Sequence, residues 1–340
     1  MSGLDVCWRG SLAARVESPM SRPTGISVPF APGNRKIIRA AQRSATCLHR
    51  EGDGPSVAGR MRHCVRGSRA VAYGQGVSVV ERNRVRVSGR PEGRPILFAH
   101  GFGCDQSMWR FVVPDFEVDH RVVLFDHVGA GGSDLSAYDP DKYGSLRGYA
   151  SDVVEICRAL DLTDVVFVGH SVSAMIGVLA VAEAPELFGA LVMVGPNPRY
   201  VDEDGYTGGF SRADIVALLD SLDSNHLGWS TAMAPVIMGN PDRPELAEEL
   251  SNSFCSTDPG IARQFARVTF LSDNRADLAA VRVPTLVLQC SSDVIAPDAV
   301  GEYVHSQVAG SVLTRLRATG HCPNLSAPEE TTAAIRAFLA

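Results

Sequence analysis

The chain has 340 residues, a length that suits one large α/β domain with an insertion or two ordinary domains. Apolar residues make up 45% of it, enough for a sizeable core, and a net charge of −6 gives no reason to expect nucleic acid as a partner. No run of about 18 apolar residues appears, which argues against a membrane span. The eight cysteines form no C-x-x-C and no Cys/His cluster with zinc spacing, so they read as reduced thiols of a cytoplasmic protein without a metal site.

Charge is unevenly spread. Residues 1–76 hold eleven Arg and one Lys against four acidic residues, a net +8 that leaves −14 on the remaining 264. This arm is rich in Gly, Ser, Pro and Arg and shows neither helical nor strand periodicity. Three readings stay open for it: a disordered extension, an organelle-targeting segment, or a start codon set too far upstream.

The pattern changes at Val77. "VSVVERNRVRV" alternates and predicts a strand pair or hairpin. Short apolar runs then recur at 94–100, 121–126, 165–169, 190–195, 284–290 and 312–318, as expected of strands buried on both faces of a parallel sheet. Helical patterns lie between them. Ser145 is a candidate cap for "LRGYASDVVEICRAL", and "SAMIGVLAVAEAP" reads as a buried helix stopped by Pro185. Strand–helix alternation of this kind predicts a mostly parallel, doubly wound α/β sheet. Nearly ninety residues between "ALVMVG" and "PTLVLQC" carry no convincing buried strand and contain four helical stretches. They read as a cap over the C-terminal edge of the sheet, where ligands of open α/β sheets bind. The expected organisation is a core of 77–195 and 274–340 with a helical cap, 196–273, inserted in it.

The chemistry begins at "FVGHSVSAM" (167–175), which resembles the sharp turn G-x-S-x-G with Ser173 in place of the second glycine. Ser171 follows a strand and precedes a helix, the setting that a nucleophile at such a turn requires. Small neighbours are needed because strand and helix pack closely there, and Ser173 is a small substitute. A serine hydroxyl needs a base, and the base an orienting acid, in the chain order Ser, acid, His for this architecture. His321 in "TGHCPNLSAP" follows the last strand, whereas His226 and His305 fall in the cap and on an amphipathic helix. Asp293 leaves the end of "LVLQC"; Asp298 reads as a helix-start residue, and Asp126 precedes the serine. The candidate triad is Ser171, Asp293 and His321. Backbone N–H groups of Val172 and of Phe102, in "FAHGFGCD", are the candidates for an oxyanion hole, with the Phe102 ring facing the pocket. "DHVGAGGSD" has neither G-K-[ST] nor G-x-G-x-x-G and reads as a tight supporting loop, so no cofactor is implied.

These residues resemble the α/β-hydrolase superfamily. "HGFGCDQSMWR", "FDHVGAGGSDLSAYDP", "GHSVSAMIG", "GPNPRYVDEDGYTGGF", "LQCSSDVIAP" and "GHCPNLSAP" together look like the RsbQ-like subgroup, bacterial stress-response hydrolases related to plant karrikin and strigolactone receptors. The likeness runs from about residue 77 to the end and leaves 1–76 without a counterpart. It implies an α/β-hydrolase fold with a four-helix cap over an apolar pocket. Phe102, Trp229, Met233 and Phe270 are the large apolar groups taken to line that pocket. The resemblance further implies a small hydrophobic ester or lactone as substrate, a role in stress signalling through sigma-factor regulation, and a PAS-domain partner. Two alternatives stand beside it: a ligand-binding receptor with slow or idle hydrolysis, and a metabolic esterase or cofactor-free perhydrolase.

Overall fold

The apolar runs assemble into one seven-stranded sheet. In the computed structural model, which describes residues 77–340, the strands are β1 (Arg86–Gly89), β2 (Arg94–Ala99), β3 (His120–Leu124), β4 (Val165–His170), β5 (Phe188–Val194), β6 (Thr285–Ser292) and β7 (Val312–Thr319). The expectations for residues 1–76 lie outside the described residues. The strand order is β1-β3-β2-β4-β5-β6-β7; β1 runs antiparallel to β3 and all other neighbours are parallel. All six residues of β4 are buried, which is why the central strand reads as a continuous apolar run rather than an alternating one.

Helices of ten or more residues among the described ones are α1 (Leu146–Ala159), α2 (Val172–Glu183), α3 (Arg212–Ser224), α4 (His226–Met238), α5 (Pro244–Ser256), α6 (Pro259–Leu271), α7 (Asp298–Gln307) and α8 (Pro328–Leu339). None is long and apolar enough to cross a membrane. α3 to α6 fill the interval between β5 and β6 and form the four-helix cap. Their ends are chemically marked. Ser211 and Asp214 make a capping box at α3, Asp258 accepts from the N–H groups of Gly260 and Ile261 at α6, and Gly239 closes α4 in the left-handed region at φ 65°.

The core lies on both sides of the sheet. Val166 and Val168 of β4 belong to a cluster that continues into the cap through Trp229, Phe254 and Phe270. Val165 and Phe167, one residue out of phase, belong to a cluster built with α1 and α2. α2 is sandwiched so fully that its first ten residues are all buried.

Two local expectations are corrected. "VSVVERNRVRV" is not a hairpin: Val79–Arg82 form a helical turn and only Arg86–Gly89 is a strand. The reason is a capping box, in which the Ser78 hydroxyl accepts from the Glu81 N–H while the Glu81 carboxylate accepts from the Ser78 N–H. That local bonding outweighs the alternating pattern. Ser145 holds the N-cap position of α1 with extended backbone, but its side chain makes no capping hydrogen bond.

Candidate functional site

Three strand ends converge at the C-terminal edge of the sheet. β4 leads into Ser171, β6 is followed by Asp293, and β7 is followed two residues later by His321. Ser171 is the residue between β4 and α2, at φ 58° and ψ −122°, a conformation that non-glycine residues rarely hold. Its N–H donates to the Val194 carbonyl of β5 at 2.8 Å, which helps to over-determine the turn. Gly169 is required beside it, because a Cβ there would drive into the backbone carbonyl of Ser173.

The three side chains meet. His321 Nε2 lies 2.7 Å from Ser171 Oγ, and His321 Nδ1 lies 2.7 Å from Asp293 Oδ2. A carboxylate only accepts, so Nδ1 carries the proton and Nε2 is left to accept from the serine hydroxyl. Asp293 is fixed in turn, since its Oδ1 accepts from the N–H groups of Ile295 and Ala296 at 2.8 and 3.1 Å. All three residues are buried. His226 and His305 stay away: the first opens α4 in the cap, and the second, on α7, bonds Ser311 Oγ beyond the end of that helix. Asp298 starts α7 and pairs with Arg315, while Asp126 accepts from the N–H groups of Gln106 and Gly132 and so organises the Gly-rich loop.

Ser173 does more than substitute for glycine. Its hydroxyl donates to the His100 carbonyl at 2.5 Å and lies 2.8 Å from His127 Nε2. The serine's single hydrogen goes to the carbonyl, so His127 must donate through Nε2. The His127 N–H in turn donates to His100 Nε2 at 3.0 Å. Burial holds both imidazoles below their ordinary pKa; for His127 the neighbouring His100 adds to the effect. This buried network ties the end of β2, and with it the Gly101–Gly103 loop, to the first turn of α2. The loop passes directly over the serine, because a Cβ on Gly101 would sit 3.3 Å from Ser171 Cβ.

The cap holds the other side. The His321 N–H donates to the Ile237 carbonyl near the end of α4 at 2.9 Å. Asn240 Nδ2 bonds the Thr319 carbonyl at 3.0 Å, and Gly239 packs so closely on Gly320 that a Cβ would approach its Cα to 2.8 Å. Between cap and triad lies a cavity of about 30 Å³. Phe102, Trp229 and Phe270 line it with Ser171 and His321, as do Tyr200, Cys104, Cys322 and Thr269. The Phe102 ring is ringed by Trp229, Phe254, Phe265 and Phe270, with centroids 5.6 to 6.2 Å away. Met233 is a correction: it does not line the cavity but is wholly buried in the cap-side core. Tyr200, Cys104, Cys322 and Thr269 were missed as lining residues. Only Tyr200 carried a signal, as a polar aromatic in the segment directly after β5.

The two cavity cysteines are poor nucleophiles. Burial pushes the Cys104 thiol up to about 12 and raises that of Cys322 well above its usual value. Among the groups at the cavity, the serine is the one with a base aimed at it.

A model of the Alpha/beta hydrolase family matches residues 96–335. The chain belongs to the α/β-hydrolase family. Within it, the chain is 38% identical to the Karrikin insensitive 2 receptor IA of Petunia hybrida over 248 residues, 73% of this chain and 90% of that one. It is 37% identical to the Strigolactone esterase D14 of Arabidopsis thaliana over 263 residues, 77% and 98% of the two chains. A hydrolase structure from Oleispira antarctica superimposes with a TM-score of 0.75 at 40% identity, covering 77% of this hydrolase and 96% of that one.

Proposed function

We propose that this α/β hydrolase is a serine esterase acting on a small hydrophobic ester or lactone. Ser171 attacks the carbonyl carbon, and His321 takes the hydroxyl proton through Nε2. Asp293 holds the imidazole in the tautomer that makes this transfer available. The oxyanion that forms is held by the N–H groups of Phe102 and Val172. Val172 is the first residue of α2, so its N–H has no acceptor within the helix, and Phe102 sits on the loop that crosses Ser171. Collapse of the intermediate expels the alcohol, which takes the proton from His321. Water then repeats the sequence on the acyl-serine, and the acid is released. The observation that carries this reading is the unbroken chain of two 2.7 Å contacts from Ser171 through His321 to Asp293 beneath an apolar cavity. We take residues 196–273 as a cap inserted between the core segments 77–195 and 274–340.

Ester-hydrolase names among the relatives support the chemistry. A second reading, a receptor whose triad turns over slowly, is favoured by a relative named as a receptor and by the size of the cavity. About 30 Å³ is far below the ~300 Å³ of an ordinary ligand pocket, so a ligand must displace cap side chains to enter. A cytoplasmic stress-signalling role with a PAS-domain partner rests on the RsbQ-like motifs, and binding of a purified PAS-domain phosphatase tests it.

Mass spectrometry of the intact protein with p-nitrophenyl acetate, alongside nitrophenol release, separates the readings. Steady release that falls at least ~10³-fold in Ser171→Ala supports the esterase. A long-lived acyl adduct on Ser171 with little release supports the receptor. Undiminished release by Ser171→Ala sinks both.

A further inference from the structure

The cavity is not uniformly apolar: besides the Tyr200 hydroxyl, which bonds Ser171, and the thiols of Cys104 and Cys322, it has two sets of polar groups. Ser171 and His321 bond each other, and His170 donates Nε2–H to the His321 carbonyl at 2.7 Å. His170 Nδ1 is covered by the loop, since a Cβ on Gly101 would come within 2.6 Å of it. The second set belongs to the cap. Trp229 of α4 and Thr269 of α6 both line the cavity, both are at most 1% exposed, and Trp229 Nε1 and Thr269 Oγ1 have no hydrogen-bond partner.

Thr269 is the more telling of the two. A threonine inside a helix ordinarily satisfies its hydroxyl on the carbonyl four residues back. Thr231 and Thr331 do so in this chain, at 3.1 and 3.0 Å, whereas Thr332, away from the cavity, leaves its hydroxyl unpaired. Thr269 makes no such bond either. A buried polar group without a partner is destabilising, and a ligand that supplies the partner recovers the loss. An indole N–H can only donate, and a hydroxyl can donate as well, so an acceptor oxygen on the ligand complements either group.

We propose that Trp229 and Thr269 form a polar subsite on the cap side of the cavity for a second oxygen of the substrate. The preferred ligand is then a small apolar ester or lactone that carries an ether or carbonyl oxygen besides its scissile carbonyl. A pure hydrocarbon chain leaves both groups unpaired, and a site with hydrogen-bonding groups discriminates against such an analogue. This inference rests on the reading of Ser171 as nucleophile for where the scissile carbonyl lies, while the subsite itself involves no catalytic residue.

Matched esters test it. p-Nitrophenyl methoxyacetate and p-nitrophenyl butyrate differ by one O-for-CH2 exchange on the acyl side; 2-methoxyethyl acetate and butyl acetate differ by the same exchange on the alcohol side. For each pair, kcat/KM of the oxygen-bearing member over its partner is compared between wild type and Thr269→Val, so that intrinsic ester reactivity cancels. The preference should fall about tenfold in at least one pair and be retained in Thr269→Ser. Ligand-induced Tm shifts with the two acetate esters in the Ser171→Ala background, with and without Thr269→Val, give a readout independent of turnover. A preference unchanged to within about twofold in both pairs and in the Tm shifts overturns the subsite. If Ser171→Ala still hydrolyses the esters while the Tm preference follows Thr269, the nucleophile reading fails and the subsite stands.

Discussion

His170 should make the fold acid-sensitive in a defined window. Its Nε2–H donates to the His321 carbonyl, and its Nδ1 is buried without a partner, so a second proton has nowhere to bond. Burial, reinforced by His321 beside it, pulls its pKa from 6.5 down to about 3. The sign follows from which state binds the proton. Below 6.5 the unfolded chain protonates this histidine while the folded chain does not until about 3, so the stabilisation is complete above 6.5 and is lost as pH falls from 6.5 towards 3. At pH 5, about 1.5 pH units into the window, the loss is about 2 kcal/mol from this residue. With a urea m-value of about 2–3 kcal/mol/M, that is a fall of roughly 0.7–1 M in midpoint. Carboxylates do not confuse a comparison made above pH 5, because a depressed one such as Asp119, held at about 2, loses its contribution only as pH drops below its ordinary 3.8. His100 and His127 act in the same direction as His170 but are common to wild type and variant. Urea melts at pH 7.5 and pH 5.0 on wild type and His170→Gln, whose amide can still donate to the carbonyl, isolate the effect. The variant should lose about 2 kcal/mol less than wild type between the two pH values. Equal losses in the two proteins would refute the account of His170 as a neutral histidine with an unpartnered Nδ1.

Asp293→Asn should retain the fold, since the side-chain oxygen can still accept from Ile295 and Ala296, yet it presents an N–H to His321 Nδ1 and forces the proton onto Nε2. Turnover of p-nitrophenyl acetate should fall ~10³–10⁴-fold with little change in Tm; a loss under about tenfold would contradict the tautomer argument. Ser173→Ala strands the Nε2–H of His127 and the His100 carbonyl in the core, so urea melts should show a loss of about 1–3 kcal/mol. Adding His127→Phe should recover part of that loss, because the unpaired donor goes with it; strictly additive destabilisation would show that the two side chains do not depend on each other.

Much of the fold is legible because burial on two faces leaves a plain mark. The runs of β2, β4, β5 and β6 are dominated by Val, Leu, Ile, Phe and other apolar residues, the composition that strands buried on both faces require. The convergence of Ser171, Asp293 and His321 is legible for a related reason, since each stands just past a strand and parallel strands deliver their ends to one edge. What stays hidden is whatever depends on side chains from distant elements. Trp229 and Met233 lie one turn apart on α4 and are both large and apolar, yet one lines the cavity and the other fills the core behind it. Their fates are set by packing among α4, α5 and α6, not by spacing along α4. The Ser173 network is hidden likewise, because its partners lie 73 and 46 residues upstream and a small residue after the serine suggests only a need for space. The capping box at Ser78 was within reach, four residues of local chemistry masked by a chance alternation.

The cap's role at the site follows from the same distant contacts. Trp229 near the start of α4 shapes the cavity, and the Ile237 carbonyl near its end accepts from the backbone of His321. Gly239 and Gly320 lock the two segments side by side just beyond. One helix therefore fixes both the room available to a ligand and the placement of His321 against Ser171. On the proposed reading of Ser171 as nucleophile, ligand fit and catalytic geometry are for that reason properties of one packing arrangement, and a change in how α4 is held alters both together.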